Sequence, residues 1–590
     1  MESSLKVWIR ALERTAPIEQ HPLLTFPLVI ESLALLNGAA TAITSPTGTL
    51  TYAQLSESAN RIARWGIARG LAKGDVVCLL MPNRPEFLAI WIGLTRIGVT
   101  VALLNTQLVG AALAHCIGVA APRTIIADAR LESSLDSIGP HPLTEVESWI
   151  YGTGEGNRLR LDHACAAFKG DALLPDERAY PSLPDSALYI YTSGTTGLPK
   201  AARVSHLRIM QWTHWFAGLM QVTANDRMYN CLPLYHSVGG VVAAGATLVG
   251  GGTVVLRERF SAREFWNDVV SEKCTILQYI GDLCRYLLAN PVQPMESQHG
   301  LRLCCGNGLR AEVWKPFRER FRIPRILEYY AATEGNFSLY NCEGKIGSIG
   351  KIPSFLMHRL PVALVKFDIA AEVPLRDETG RCLRCSAGEI GEALGKISYS
   401  KDHTGGQFEG YADRAATDRK ILRDVFEKGD AWYRTGDLMW QDSEGFYYFA
   451  DRIGDTFRWK GENVSTTEVA AAVQSCSGII DAVVYGVSVP GADGRAGMVA
   501  LSATEGFDLQ RLKAHLASQL PEYARPIFVR VVPGIELTGT IKLNKQLYTR
   551  QAFNPDQSQD PLYYSERESN LFLPLTMDVF AQFQAGLKRL

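Results

Sequence analysis

The chain has 590 residues, too many for one ordinary domain, and its 47% apolar and 21% charged content is that of a globular protein with a sizeable core. A formal net charge of −1 leaves no basic excess for nucleic acid or for an anionic lipid surface. Met1-Glu-Ser-Ser lacks the basic start and apolar core of a secretory signal, and the 12 cysteines are irregularly spaced, so reduced thiols in a cytoplasmic setting are expected.

Taken in chain order, the first apolar stretch, 21–40, carries Glu31, Ser32 and Asn37 and is interrupted by Pro22 and Pro27. Residues 51–70 read as a helix, with Leu55, Ala59, Ile62 and Ala63 at helical spacing. A strand follows at 75–80, then a helix at 85–97 with Pro85 at its first position, where a missing N–H costs little. The second apolar stretch, 87–104, contains Arg96 and Gly98 and reads as a buried helix, a break at Gly98 and a buried strand. A membrane span needs about 20 nearly uninterrupted apolar residues, so no transmembrane helix is expected. Ser205 is placed to cap a helix over 206–221. Strands are expected at 253–256 and 274–279, with a helix at 265–272 between them. Alternation of this kind implies helices packed on mostly parallel sheets. Beyond residue 454 a strand at 481–487, a helix at 509–520, a strand at 527–532 and a last helix at 577–590 suffice for a small α+β domain. Cys382-x-x-Cys385 has metal-ligand spacing, but no second pair answers it, and core or loop thiols are the better reading.

The most informative ten residues are Tyr191-Thr-Ser-Gly-Thr-Thr-Gly-Leu-Pro-Lys200. They follow an apolar strand, Ala187-Leu-Tyr-Ile-Tyr191. Backbone N–H groups and hydroxyls gathered at a strand end can grip phosphate, and Lys200 adds positive charge. The loop is not a Walker A sequence, because Leu198 and Pro199 separate Gly197 from the lysine.

This loop resembles the phosphate-loop signature of the adenylate-forming enzymes, which include acyl-CoA synthetases, luciferases and peptide-synthetase adenylation domains. Later motifs of that superfamily recur in the same order over nearly the whole chain. The resemblance implies an α/β multi-layer large N-terminal domain with a small mobile α+β C-terminal domain, here 1–453 and 454–590, with a hinge near 453–455. It assigns Thr192, Ser193, Gly194, Thr195, Thr196, Gly197 and Lys200 to ATP phosphates. Leu232-Pro-Leu-Tyr-His236 would place His236 at the acyl pocket, and Gly306-Asn307-Gly308 would border adenine and the acyl group. In Tyr329-Tyr330-Ala-Ala-Thr333-Glu334 the ring of Tyr330 would stack on adenine, Thr333 would hold the α-phosphate, and Glu334 with Thr192 would serve Mg²⁺. Ala331 stands where the family usually carries glycine. Asp437, in Tyr433-Arg-Thr-Gly-Asp437, and Arg452 would hold the ribose. Gly454 occupies the hinge position, and Lys460 and Gly461 would reach CoA. Thr538-Gly-Thr-Ile-Lys-Leu-Asn-Lys545 resembles the C-terminal motif, with Ile541 where glycine is usual, and gives Lys542 the role of bridging the attacking carboxylate and the α-phosphate.

Within the superfamily, 450–469, 278–286, 426–430 and 523–528 resemble the fatty acid transport protein and very-long-chain acyl-CoA synthetase branch. That branch implies fatty acid, ATP and CoA as substrates, Mg²⁺ as cofactor, and no nucleic-acid partner. Two alternatives are fatty-acid uptake separable from ligation and acyl adenylation for a carrier protein. Peripheral contact with the inner face of the cell membrane is compatible with the sequence, and oligomeric state, a homodimer included, stays open.

Overall fold

A computed structural model describes every residue except 1–2, 140–145, 155, 193–198, 370, 399–406, 460–461, 491, 493, 536–544, 567–568, 570 and 589–590. The chain forms two compact units, 1–352 with 398–421, and 353–397 with 422–590. The division read from the sequence at 453–455 falls inside the second unit.

The first unit is built on two large sheets. One has strand order Leu159–Arg160, Glu147–Tyr151, Thr124–Asp128, Val76–Leu80, Thr100–Leu103, Ser186–Thr192, Lys200–Ser205. Its pairings are parallel except the last, where Thr192 stands opposite Lys200. The other runs Ser338–Asn341, Ile326–Ala331, Leu303–Asn307, Ile276–Ile280, Arg227–Asn230, Thr253–Leu256, Thr41–Ser45, Gly48–Thr51, parallel inside and antiparallel at both edges. The interior strands are buried on both faces, which explains their near-continuous apolar runs.

Local chemistry sets the helix ends. Thr51 and Gln54 form a reciprocal capping box at the start of Tyr52–Ala68, an arrangement worth about 1 kcal/mol. Helix Pro85–Arg96 is apolar on nearly every face because it lies inside the protein rather than in lipid. Arg96, only 3% exposed, donates to the Asn60 side chain and to the Pro27 carbonyl, and burial lowers its pKa to about 10. Gly98 then breaks the chain with φ +78° before the strand Thr100–Leu103. No helix among the described residues is long and apolar enough to cross a membrane.

The second unit opens with an antiparallel sheet in which Val362–Asp368, Gly391–Lys396 and Ala431–Gln441 are neighbours and Tyr447–Arg452 pairs with the last. After residue 454 come the hairpin Phe457–Trp459/Glu462–Val464, helix Thr466–Gln474 and a five-stranded sheet whose strands begin with Ile479–Ser488 and end with Phe572–Pro574. These elements share one core, drawn wholly from residues 457–583. The last helix, Met577–Gln584, is shorter than expected. Gly586 turns the chain with φ +68°, Phe583 is fully buried, and Leu587 stays 79% exposed. All 12 cysteines are free thiols, Cys382 buried and Cys385 partly so.

Candidate active site

Two strands flank the candidate phosphate-loop residues. Ser186–Thr192 leads in and Lys200–Ser205 leads out, so Thr192 and Lys200 sit side by side at the loop's base. Ser193, Gly194, Thr195, Thr196 and Gly197 lie outside the described residues. Ser205 then caps helix His206–Met220, accepting from Arg208 N at 3.1 Å, as its place in the sequence implied.

The strand Ile326–Ala331 delivers Tyr330, Thr333 and Glu334 to the same region. Thr333 is held twice: its hydroxyl lies 3.0 Å from Ser237 Oγ, and its carbonyl accepts from the Arg208 guanidinium at 2.9 Å. Ser237 follows His236 in the chain, so the candidate acyl-pocket histidine adjoins the Thr333 station. The His236 ring packs on Tyr235 at 4.6 Å. Glu334 is buried, and Tyr411 donates its hydroxyl to Glu334 Oε1 at 2.7 Å. Burial and the neighbouring carboxylate hold the Tyr411 pKa far above its ordinary value, so it remains a proton donor. Lys200 Nζ lies 5.7 Å from the Tyr411 ring centre, and Thr192 is the cross-strand partner of Lys200. Thr192, Lys200, Thr333 and Glu334 therefore lie together within the first unit.

Gly306 sits in register with Tyr279 on one side and Glu328 on the other. A Cβ at this position would overlap both the Tyr279 carbonyl and its ring. Only glycine lets the Tyr279 side chain cross the strand and donate to the Glu328 carboxyl. Glu328 also accepts from the Leu309 amide at 3.1 Å. It thereby ties the Gly306–Gly308 loop to the strand that carries Tyr330. Burial drives the Glu328 pKa up to about 8. Asn307 Oδ1 is buried with no hydrogen-bond partner among the described residues. The Tyr330 ring tilts toward Phe337 at 6.0 Å.

The remaining predicted residues belong to the second unit. Asp437 and Arg452 are cross-strand partners, with Arg452 Nε 3.5 Å from the Asp437 carboxylate. Asp455 N donates to Arg452 O, closing a turn whose third residue is Gly454 at φ +89°. Asp451 is buried and accepts from Thr456 Oγ1 and from the amide and hydroxyl of Thr466, which fastens helix Thr466–Gln474 beside the turn. Lys545, the last residue of the C-terminal motif, pairs with Asp455 at 3.0 Å. Lys460, Gly461 and Lys542 lie outside the described residues.

Four contributors escaped the sequence reading. Ser237 is signalled only by following His236. Arg208 was a charge in the first turn of an apolar helix. Its guanidinium also donates to the Gln407 carbonyl at 3.0 Å, so it ties the Thr333 station to the segment that bears Tyr411. Glu328 was an acid within an aromatic strand pattern. Tyr411 lies in a stretch that gives no periodic signal.

The AMP-binding enzyme family model matches residues 33–393, and the model of the AMP-binding enzyme C-terminal domain matches 468–542. Long-chain fatty acid transport protein 1 of Mus musculus is 39% identical over 572 residues, covering 95% of this chain and 88% of the relative. The fold is shared with the anthranilate CoA ligase AuaEII in complex with anthranoyl-AMP, at TM-score 0.75 and 21% identity over 89% of this chain and 97% of that one. It is shared too with ATP-bound MatB from Rhodopseudomonas palustris, at TM-score 0.73 and 22% identity over 91% of this chain and 100% of that one. The chain belongs to the AMP-binding enzyme family, in the branch of the long-chain fatty acid transport proteins and very-long-chain acyl-CoA synthetases.

Proposed function

We propose that the chain is an ATP-dependent long-chain fatty acyl-CoA synthetase. The observation that carries this reading is the convergence of Thr192, Lys200, Thr333 and Glu334 in a chain so extensively similar to proteins named for long-chain fatty acids.

A carboxylate is a poor electrophile, because its charge is delocalised and its leaving group would be oxide. Attack by the carboxylate on the α-phosphorus of ATP expels pyrophosphate and leaves an acyl-adenylate. The CoA thiol then attacks the acyl carbon, AMP departs with one former carboxylate oxygen, and the thiol proton is released. Charge builds on phosphate oxygens, so the protein's work is placement and electrostatic stabilisation. Lys200 faces the polyphosphate, Thr333 is fixed from two sides for the α-phosphate, and Lys542 meets the incoming carboxylate. The residues present suit the nucleotide and its metal. The unpartnered, buried Asn307 Oδ1 is an acceptor for an adenine amine, and the Glu334 carboxylate and Thr192 hydroxyl are hard oxygen donors suited to Mg²⁺. When bound, Mg²⁺ would neutralise polyphosphate charge. Asp437 would accept from the ribose hydroxyls beside Arg452. Rotation of 454–590 about Gly454 would withdraw Lys542 after adenylation and bring Lys460 and Gly461 to CoA, so that both half-reactions share one site.

The test is a chain-length screen with ATP, Mg²⁺ and CoA. Long-chain acids should give acyl-CoA, AMP and pyrophosphate in equal amounts, and Lys542→Ala should abolish pyrophosphate release while ATP still binds. Pyrophosphate release at the native rate in that variant would remove Lys542 from its role. The relatives' names favour a second reading, in which uptake is the physiological outcome and CoA coupling traps the acid. Uptake of labelled fatty acid that survives Lys542→Ala would separate transport from ligation.

A further inference from the structure

We infer that Tyr411 is a positioning residue of the nucleotide site: its hydroxyl orients the Glu334 carboxylate for the divalent cation, and its ring seats Lys200 for the polyphosphate. This rests on the reading of Glu334 and Lys200 given above.

Two of the candidate site residues meet at this one side chain. The hydroxyl donates to Glu334 Oε1 at 2.7 Å, and Thr192, the other candidate metal donor, stands opposite Lys200 on the paired strand. The ring face lies 5.7 Å from Lys200 Nζ, within range of a cation–π contact. A carboxylate held at one oxygen presents the other in a fixed direction, which a cation with strict octahedral demands requires.

The backbone of Tyr411 is fixed as firmly as its side chain. Arg203 N donates to Gly410 O at 3.1 Å, Ala412 N donates to Ala201 O at 2.9 Å, and Tyr411 forms a bridge with Ala202. Residues 410–412 thus add to the free edge of the strand Lys200–Ser205 immediately after the lysine. Tyr411 N donates to Thr417 Oγ1 at 2.9 Å, and the ring packs with Ala202 and Ala416. Arg208 links the same segment to Thr333, donating to Gln407 O and Thr333 O. A residue needed only for packing would not require a hydroxyl buried against a carboxylate, since phenylalanine fills the same volume without a polar atom to satisfy.

Ring and hydroxyl can be separated by two substitutions. ATP affinity is measured by calorimetry on the full chain, once in EDTA and once with saturating Mg²⁺, for the native protein, Tyr411→Phe, Tyr411→Leu and Glu334→Gln, with thermal melts confirming folding. Tyr411→Phe keeps the ring and its packing. It should lower affinity about tenfold with Mg²⁺, the scale of a hydrogen bond to a charged group, and leave affinity in EDTA unchanged. Tyr411→Leu should add a severalfold loss that persists in EDTA, because the Lys200 contact is gone. Glu334→Gln should abolish the gain that Mg²⁺ gives. If Glu334→Gln loses that gain while Tyr411→Phe keeps all of it, the role of Tyr411 is refuted and the reading of Glu334 stands. If Tyr411→Phe loses equal affinity with and without Mg²⁺, the hydroxyl is structural and the inference is again refuted. Retention of the full Mg²⁺ gain in Glu334→Gln would overturn the metal reading and the inference together.

Discussion

Glu328 offers the sharpest test of how the Gly306–Gly308 segment is held. Its carboxyl is 1% exposed, receives the Tyr279 hydroxyl and the Leu309 amide, and has its pKa raised by burial from 4.5 to about 8. Between those two values the folded chain holds a proton that the unfolded chain has released. Linkage then makes stability fall as pH rises through this window, by about 1.4 kcal/mol per unit for one proton, or ~4 kcal/mol from pH 5 to pH 8. Glu328→Gln is nearly isosteric with the protonated acid and keeps an acceptor for Leu309, so it should match the native protein near pH 5 and become progressively more stable than it toward pH 8. Glu328→Ala should cost ~3–5 kcal/mol, since it orphans a buried hydroxyl and an amide and opens a cavity. The assay is the urea midpoint at half-unit pH steps, read for the native chain and both variants. Midpoints for the native chain and Glu328→Gln that run parallel from pH 5 to pH 8 would refute the argument.

Three further outcomes are expected. His206 is fully buried, both ring nitrogens have no hydrogen-bond partner among the described residues, and burial lowers its pKa from 6.5 to about 4. Its contribution is complete above pH 6.5 and is lost as pH falls through 4, about 3 kcal/mol in all, so His206→Phe should flatten the acid limb of a stability profile. Asp437→Ala should weaken ATP binding by about 1–3 kcal/mol, measured by calorimetry, through lost charged hydrogen bonds. Gly454→Val places a branched side chain at φ +89°, should destabilise the turn by about 1–3 kcal/mol, and should slow acyl-CoA formation more than the initial burst of pyrophosphate.

Elements governed by local chemistry were legible in the sequence. Thr51 and Ser205 cap the helices they precede, Pro85 opens the next, and the alternation of apolar runs gave the layered sheets. The 191–200 segment stood out for its hydroxyl, glycine and lysine content after a strand, and Thr333–Glu334 for its resemblance to a motif of the adenylate-forming enzymes. What stayed hidden depends on contacts distant in sequence. Tyr411 reaches Glu334 across 77 residues from a segment that joins a sheet edge, and edge pairing leaves no period in the sequence. Glu328 gained meaning only when Gly306 let Tyr279 cross a strand to meet it. The last helix was overextended because Leu587 continued its apolar stripe, whereas Gly586 had already turned the chain.

The central claim is that a fatty-acid carboxylate attacks the α-phosphorus of ATP. A single turnover with a long-chain acid carrying ¹⁸O in both carboxylate oxygens, together with ATP, Mg²⁺ and CoA, tests it most directly. The account predicts AMP bearing one ¹⁸O, acyl-CoA retaining the other, and unlabelled pyrophosphate. Unlabelled AMP, or ADP with labelled inorganic phosphate, would contradict it.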